Sequence, residues 1–407
     1  MTHSIRTHWA KFTMWLADRK HFDHLKHAID SREPAAFAVA SKLAQCAKEL
    51  CEQPIPAVTD KKMNANSPSR DPHDYVSIGT YWWPNPESST GLPYIKRDGQ
   101  LSPDADLYDR PRWDRAADAI VQLIRAAYLL GDHSYADNAV RRLRRWFLDS
   151  DTRMNPHLSH AQFIPGRHTG GAPGIIDFAL YLPALLDHIK LLMSFSPTAW
   201  TPQDNDAMVT WCRQLTVWMT SHPLGIQERQ SKNNHGTYYD RFLAVLHLFT
   251  GERSAAIDLI RNVPHRIAEQ IAPDGSAPLE LKRTCSFSYS LMNAQGFLDL
   301  ACIATQLNED LWTWSAPNGA SIPAAINYLF RFAISNEAWP FEQIEPIDWR
   351  IVALTAQRAN TIEPDRFPLA KLSHRLPAGF DPSTFAVLAP LHPFGAERTR
   401  SLIAPSH

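Results

Sequence analysis

The sequence has no CxxC pair and no Cys/His set at zinc-ligand spacing. Its five cysteines, Cys46, Cys51, Cys212, Cys285 and Cys302, are scattered and odd in number. They read as reduced, mostly buried thiols rather than a disulfide framework. Net charge is also scarce. Forty-one Lys+Arg against 42 Asp+Glu leave −1, so the global field points to no nucleic acid and no membrane partner. An acidic ligand would need a local basic site. Long apolar runs are missing too. The N-terminal "MTHSIRTHWAKFTMWLADRKHFDHLK" has no uninterrupted stretch of signal-peptide length, and no window reads as long and apolar enough to span a bilayer. As given, the chain reads as soluble and cytoplasmic; with a signal sequence removed, it would be periplasmic or secreted. No charge run or low-complexity linker marks a second domain.

What is present is helical periodicity over most of 407 residues, with 13 Trp and 31 Pro. The pattern predicts helices at Ala35–Gln53, Arg112–Leu130, Tyr135–Leu148, Ile175–Phe195, Asp204–Ser221, Tyr238–Thr250, Ala255–Ile271, Tyr289–Gln306 and Ile322–Ser335. "LLGDHSYAD" and "LFTGERSAA" each read as a C-cap glycine followed by a polar re-entry. Helix, short turn, helix is the signature of antiparallel hairpins in a stack or ring. Three long aromatic or Pro/Gly-rich stretches, Lys61–Pro111, Thr152–Gly174 and Asn336–Arg350, interrupt the hairpins. Such loops are often functional. The expected architecture is all-α: an (α/α) toroid or incomplete barrel with long loops forming a cleft at one end. It would be a single catalytic domain over 1–407, with N-terminal helices in 1–57, a motif-bearing core in 58–346, and C-terminal helices and a tail in 347–407.

Four stretches carry candidate chemistry. "KNNHGTYYD" reads as a helix start, with Asn233 or Asn234 as cap and Tyr238 and Phe242 packing inward; Asn234 and His235 could also present donors to an anion there. In "LELKRTCSFSYS" Arg283 precedes Tyr289 by six residues. A strict helix does not align that spacing, so one or both sit in a loop or at a helix start. There a guanidinium could favour a phenolate. "HDYVSIGTYWWPNPESSTGLPYIKRDGQ" offers Tyr81, Trp82 and Trp83 for stacking on sugar rings, and Lys96 and Arg97 for carboxylates. "TRMNPHLSHAQFIPGRHTGG" crowds Asn155, His157, His160, Gln162, Arg167 and His168 into one loop. With no HExxH or carboxylate-rich ligand set, it reads as a polar subsite rather than a metal centre. The basic "RRLRRWF" reads as a solvated helix face.

In this order, "YWWPNP…GLPYIKRDG", "TRMNP…AQFIPG", "NNHGTYYD" and "LELKRTCSFSYS" resemble the alginate lyase superfamily of polysaccharide lyases, in the branch that includes lyases of alginate and of glucuronan. The likeness spans about Val58 to Pro346. It implies an (α/α) toroid and β-elimination from a 4-linked polyuronate, with an acidic polysaccharide or oligosaccharide as partner. Residue by residue, it implies that Asn234 and His235 contact the substrate carboxylate and that Tyr289 is base and acid, with Arg283 beside it. Tyr81, Trp82, Trp83, Tyr238 and Tyr239 would supply stacking walls. Lys96, Gln162 and Arg167 would serve flanking sugars. This scheme requires no metal or organic cofactor. Two rivals from other classes are a two-carboxylate glycoside hydrolase, with Asp177, Asp240, Glu280 and Glu342 as candidates, and a non-catalytic glycan-binding protein.

Overall fold

In a computed structural model the described residues are 14–62, 67–196, 198–335 and 337–388. Expectations for the first 13 residues and for the tail from residue 389 lie outside them. The described residues cluster into two compact units. One comprises 14–97 and 101–226, the other 98–100 and 227–388.

In the first unit the helices are Arg19–Asp30, Pro34–Glu52, Arg110–Leu130, His133–Leu143, Ile176–Ala179, Leu182–Phe195 and Pro202–Ser221. Arg110–Leu130 lies at its centre, packed on its neighbours at Pro34–Glu52, His133–Leu143 and Leu182–Phe195. That explains its sequence: "AADAIVQLIRAAYLL" is apolar nearly all round, as a helix covered on several faces must be. At its start Trp113 is fully buried. It stacks on Phe178 with ring centroids 4.3 Å apart and meets Phe147 edge-on. The reversal after it follows the expected punctuation. Gly131 takes a left-handed C-cap with φ +72°, and Asp132 accepts a hydrogen bond from Ser134 N to start the next helix.

The long loops of this unit are less structureless than their composition suggests. β1 (Val76–Ile78) pairs in parallel with β4 (His160–Phe163). β2 (Trp82–Trp83) pairs antiparallel with β3 (Ile95–Lys96), so Trp82 faces Lys96 and Trp83 faces Ile95. Val76, Ile78, Tyr94, Tyr108, Phe163 and Ile164 form a small core beneath them, against which Trp82 and Leu92 pack.

Two readings need correction here. Arg141–Phe147 is not a solvated face. Arg142 is buried and donates to the carbonyl oxygens of Leu50 and Gln53, Arg144 pairs with Asp204, and Arg145 pairs with Asp60. The guanidiniums cross-link helix ends by satisfying orphan carbonyls. Ile176–Phe195, taken as one stretch, is long and apolar enough by length and composition to cross a membrane, yet 78% of its most apolar 18 residues are buried inside the protein. Core helices pass the same test.

The second unit contains Asn234–Phe249, Arg253–Gln270, Ser286–Leu307, Ile322–Ile334, Trp349–Asn360 and Pro382–Leu388. Asn234–Phe249 packs on the two helices that follow it. The crossing is close because Gly296 has no side chain: a Cβ there would meet Thr237 Cγ2 at 2.9 Å and Tyr238 Cε2 at 3.0 Å. Buried between helices, Asp299 pairs with both Arg241 and Arg358. Burial opposes its ionisation, but the two guanidiniums hold its carboxyl below the ordinary range. Helix is present in all nine predicted stretches, but Ile175–Phe195 is broken into Ile176–Ala179 and Leu182–Phe195, and the α-helix predicted to Leu148 ends at Leu143. Seven of the nine start one to four residues earlier than periodicity alone placed them, at prolines and polar caps such as Pro34, Pro202 and Asn234.

Replacing Asp299 by Asn should cost about 3–5 kcal/mol, because buried Arg241 and half-buried Arg358 lose their shared buried anion. Asp204→Asn, which unpairs the more exposed Arg144, should cost about 1 kcal/mol or less. Urea unfolding of both variants measures the contrast.

Candidate active site

The stretch "SKNNHGTYYD" builds a helix start around a buried acid. Asn233 is the N-cap: its side-chain oxygen accepts from His235 N at 3.2 Å. Asn234 is 1% exposed. Its backbone N–H donates to Glu280 Oε1 at 2.7 Å, and its amide donates to both Glu280 oxygens at 2.9 Å. The anion that the sequence placed at this helix start is therefore supplied by the protein itself. Burial raises the Glu280 carboxyl, and the donors of Asn234 together with Arg283 and His235 pull it back only in part.

Gly236 makes this packing possible. A Cβ there would lie 2.1 Å from both Arg266 Nη1 and Ser231 O. Arg266 instead donates to the carbonyl oxygens of Ser231 and Arg229 and pairs with Asp240, pinning the chain that enters the helix.

His235 is the member of the couple that keeps some exposure, 28% of its side chain. Its Nδ1 lies 2.8 Å from Glu228 Oε1, which leaves Nε2 as the nitrogen for a ligand. Burial works against a charged ring. The carboxylates of Glu228 and Glu280 outweigh it, Arg283 opposes them, and the imidazole titrates above its usual value.

Arg283 and Tyr289 meet as the resemblance implied, and neither is mid-helix: Arg283 lies in a turn and Tyr289 in the first turn of Ser286–Leu307. The guanidinium carbon lies 3.7 Å from the Tyr289 ring centroid, stacked on its face. Arg283 is also bound to Asp98: Nε lies 3.0 Å from Oδ2 and Nη2 lies 2.8 Å from Oδ1. The helix carrying Tyr289 has no side-chain cap from its own N-cap residue, Cys285. Gln343 supplies one from a distant loop, its Oε1 accepting from Phe287 N at 2.9 Å. The structure therefore brings Asn234, His235, Arg283 and Tyr289 into one cluster, joined by Glu280, since Arg283 N also donates to the Glu280 carbonyl at 3.0 Å.

Other expected site residues sit differently. Tyr238 and Tyr239 are 6% and 0% exposed, so they offer no ring face to a sugar. Consecutive residues on this helix both point into packed neighbours. The Gln162 amide donates to the buried Asp177 at 2.8 Å, from a left-handed backbone at φ +48°. Arg167 donates to Tyr94 O and lies over Trp82, 5.0 Å from its centroid, while Arg97 covers Trp83 at 4.6 Å. Each indole keeps at most its opposite face for a ligand. Tyr81 is half-buried, and Lys96 is exposed. The polar crowd of the histidine loop folds onto Asp74: His157 Nε2 is 3.0 Å away, His160 Nε2 3.3 Å, and Asn155 Nδ2 2.8 Å. Burial opposes ionisation of Asp74, but these donors hold it well below the carboxylate range. Sequence reasoning missed Glu228, Asp98 and Gln343, and it considered Glu280 only as a hydrolytic acid. "QERQ" and "KRDG" carried the signals for the first two: an acid seven residues before the histidine, and an Asp before a positive-φ glycine.

The alginate lyase family model matches residues 57–339. The chain is 33% identical to an alginate lyase from Bacteroides ovatus, with a TM-score of 0.85 over 94% of this chain and 99% of that one. It also matches alginate lyase A1-III from Sphingomonas species A1, at 15% identity and TM-score 0.53, over 85% and 93% of the two chains. A variant of that protein complexed with a tetrasaccharide matches at TM-score 0.51 and 15% identity, over the same shares. Those two likenesses show the fold alone. Among curated proteins none matches.

Glu228→Gln should lower the pKa of His235, since it removes the nearest anion. With the imidazolium as the working form, the alkaline limb of any activity moves to lower pH. The same variant should lose stability at pH 6 and little at pH 9. A folded-state pKa raised by a partner contributes fully below the unfolded value of about 6.5 and is lost as pH rises through the folded one. Histidine NMR titration and denaturation at the two pH values check both outcomes.

Proposed function

We propose that this chain, a polysaccharide lyase belonging to the alginate lyase family, cleaves a 4-linked polyuronate by β-elimination with Tyr289 as base and acid. Alginate, and polymannuronate within it, is the first substrate to expect, because the structural relatives are named as alginate lyases; glucuronan shares the stereochemistry that matters. The observation that carries the reading is the stack of Arg283 on Tyr289, built into the same cluster as a histidine held above its usual pKa.

The C5 hydrogen of a uronate is weakly acidic, so the negative charge that develops on the carboxylate must be stabilised. An imidazolium at His235, with Nδ1 tied to Glu228 and Nε2 toward the ligand, suits that task. Asn234 contributes mainly by fixing the helix start, since its donors are spent on Glu280. The Tyr289 phenolate takes the C5 proton. The electron pair forms the C4–C5 double bond, the C4–O bond breaks, and the same phenol returns its proton to the leaving oxygen. In mannuronate and glucuronate both groups lie on one face, so one tyrosine can serve twice. A reference phenol titrates near 10, and a nearby guanidinium favours its ionised form.

The four acids of the hydrolase reading are tied up or scattered. Asp177 is buried against Arg110, Tyr75, Ser77 and Gln162. Asp240 is bound to Arg266, Glu280 to Asn234, and Glu342 is exposed.

Tyr289→Phe should lower the rate of ultraviolet absorbance gain on polymannuronate by about 10²–10⁴-fold, while oligosaccharide binding by calorimetry stays within a few-fold. Near-normal turnover in that variant would remove Tyr289 as the base.

A further inference from the structure

The strongest contact near the reacting cluster that the mechanism leaves unused is the carboxylate of Asp98. Arg283 Nε donates to both its oxygens, at 3.2 and 3.0 Å, and Nη2 donates to Oδ1 at 2.8 Å. Thr284 N and Oγ1 each donate to Oδ2 at 3.2 Å. The two ion-pair side chains are each only 19% exposed. The backbone turns sharply straight afterwards. Gly99 has φ +77°, and a Cβ there would lie 2.4 Å from Thr284 Oγ1 and 2.8 Å from Ile344 Cδ1, so glycine alone lets Asp98 reach this depth. The far side of Thr284 is held as well, its carbonyl accepting from Ile344 N at 2.9 Å. A guanidinium anchored through its N–H groups can still take a flat neighbour against its face, and the Tyr289 ring lies there.

We propose that Asp98 is a positioning residue for the elimination: through Arg283 it holds the guanidinium flat on Tyr289 and partly neutralises it, fixing both the aim of the base and the positive charge the phenol feels. This rests on the reading of Tyr289 as the base. A guanidinium shared with a carboxylate stabilises a phenolate less than a lone one does, but it keeps its geometry. Asp98 thus trades charge for alignment, and its two contributions separate by substitution.

The experiment is the pH dependence of kcat/KM on polymannuronate for Asp98→Asn, Asp98→Ala and Asp98→Glu, with thermal unfolding of each. Asp98→Asn keeps shape and removes the charge, so the acidic limb should move to lower pH by about half a unit or more. Asp98→Ala frees the guanidinium from the ring, so the limb should move the opposite way. In that variant kcat should fall about tenfold with KM changed less than about twofold, the pattern of an interaction felt in the transition state. Asp98→Glu should recover part of the loss. A purely structural role lowers thermal stability and active fraction without moving either limb, and that result overturns the proposal. If Asp98→Ala does not fold, the direction of the Asp98→Asn shift decides alone. Tyr289→Phe in parallel separates the failures. If that variant is inactive while the Asp98 variants keep the wild-type limb, only this proposal falls; if it turns over normally, both fall.

Discussion

The contact on which the site depends is the one between Asn234 and Glu280. A carboxylate almost removed from solvent is costly unless its oxygens are met by donors. Here a backbone N–H and a side-chain amide from one residue meet both oxygens. They belong to the first residue of a helix, where unpaired N–H groups and the helix dipole favour an anion. The contact therefore stabilises the acid and the helix start together. It also ties the segment bearing His235 to the segment bearing Arg283, which runs from Glu280 through a tight turn.

From that tie the electrostatics follow. His235 sits near two carboxylates and one guanidinium, and the carboxylates prevail. Arg283 sits between a carboxylate and an aromatic face. Each basic side chain has a dedicated acidic partner that fixes its direction: Glu228 for His235 and Asp98 for Arg283. In the proposed elimination, this arrangement would pre-organise the acting groups, their geometry fixed by partners outside the reacting atoms. The first turn that carries Tyr289 is steadied in the same manner, by Gln343 reaching in from another loop.

Much of this was legible in the chain. Periodicity located nine helical stretches, and Gly131 and Gly251 marked two of their ends. Asn233 or Asn234 was readable as a cap, and the six-residue interval from Arg283 to Tyr289 put one or both in a loop or at a helix start. What stayed hidden were side-chain directions. Tyr238 and Tyr239 look alike on paper to a binding wall, yet both rings are spent on packing. Gln162 looks like a sugar contact, yet its amide turns to Asp177. The short strands in the aromatic loops pair across long separations, and local composition does not encode such pairing. Asp98, Glu228 and Gln343 were hidden for the same reason. Their meaning lies in what they touch, and for Asp98 and Gln343 the partner is far off in sequence.

The most direct test of this account is a double-mutant cycle in unfolding free energy on Asn234→Ala and Glu280→Gln. If one contact fixes the helix start and shields the acid, the two losses are strongly coupled, by about 1–3 kcal/mol, and the double variant is scarcely worse than the harsher single one. Losses that simply add, within about 0.5 kcal/mol, would contradict it and leave the cluster without its keystone.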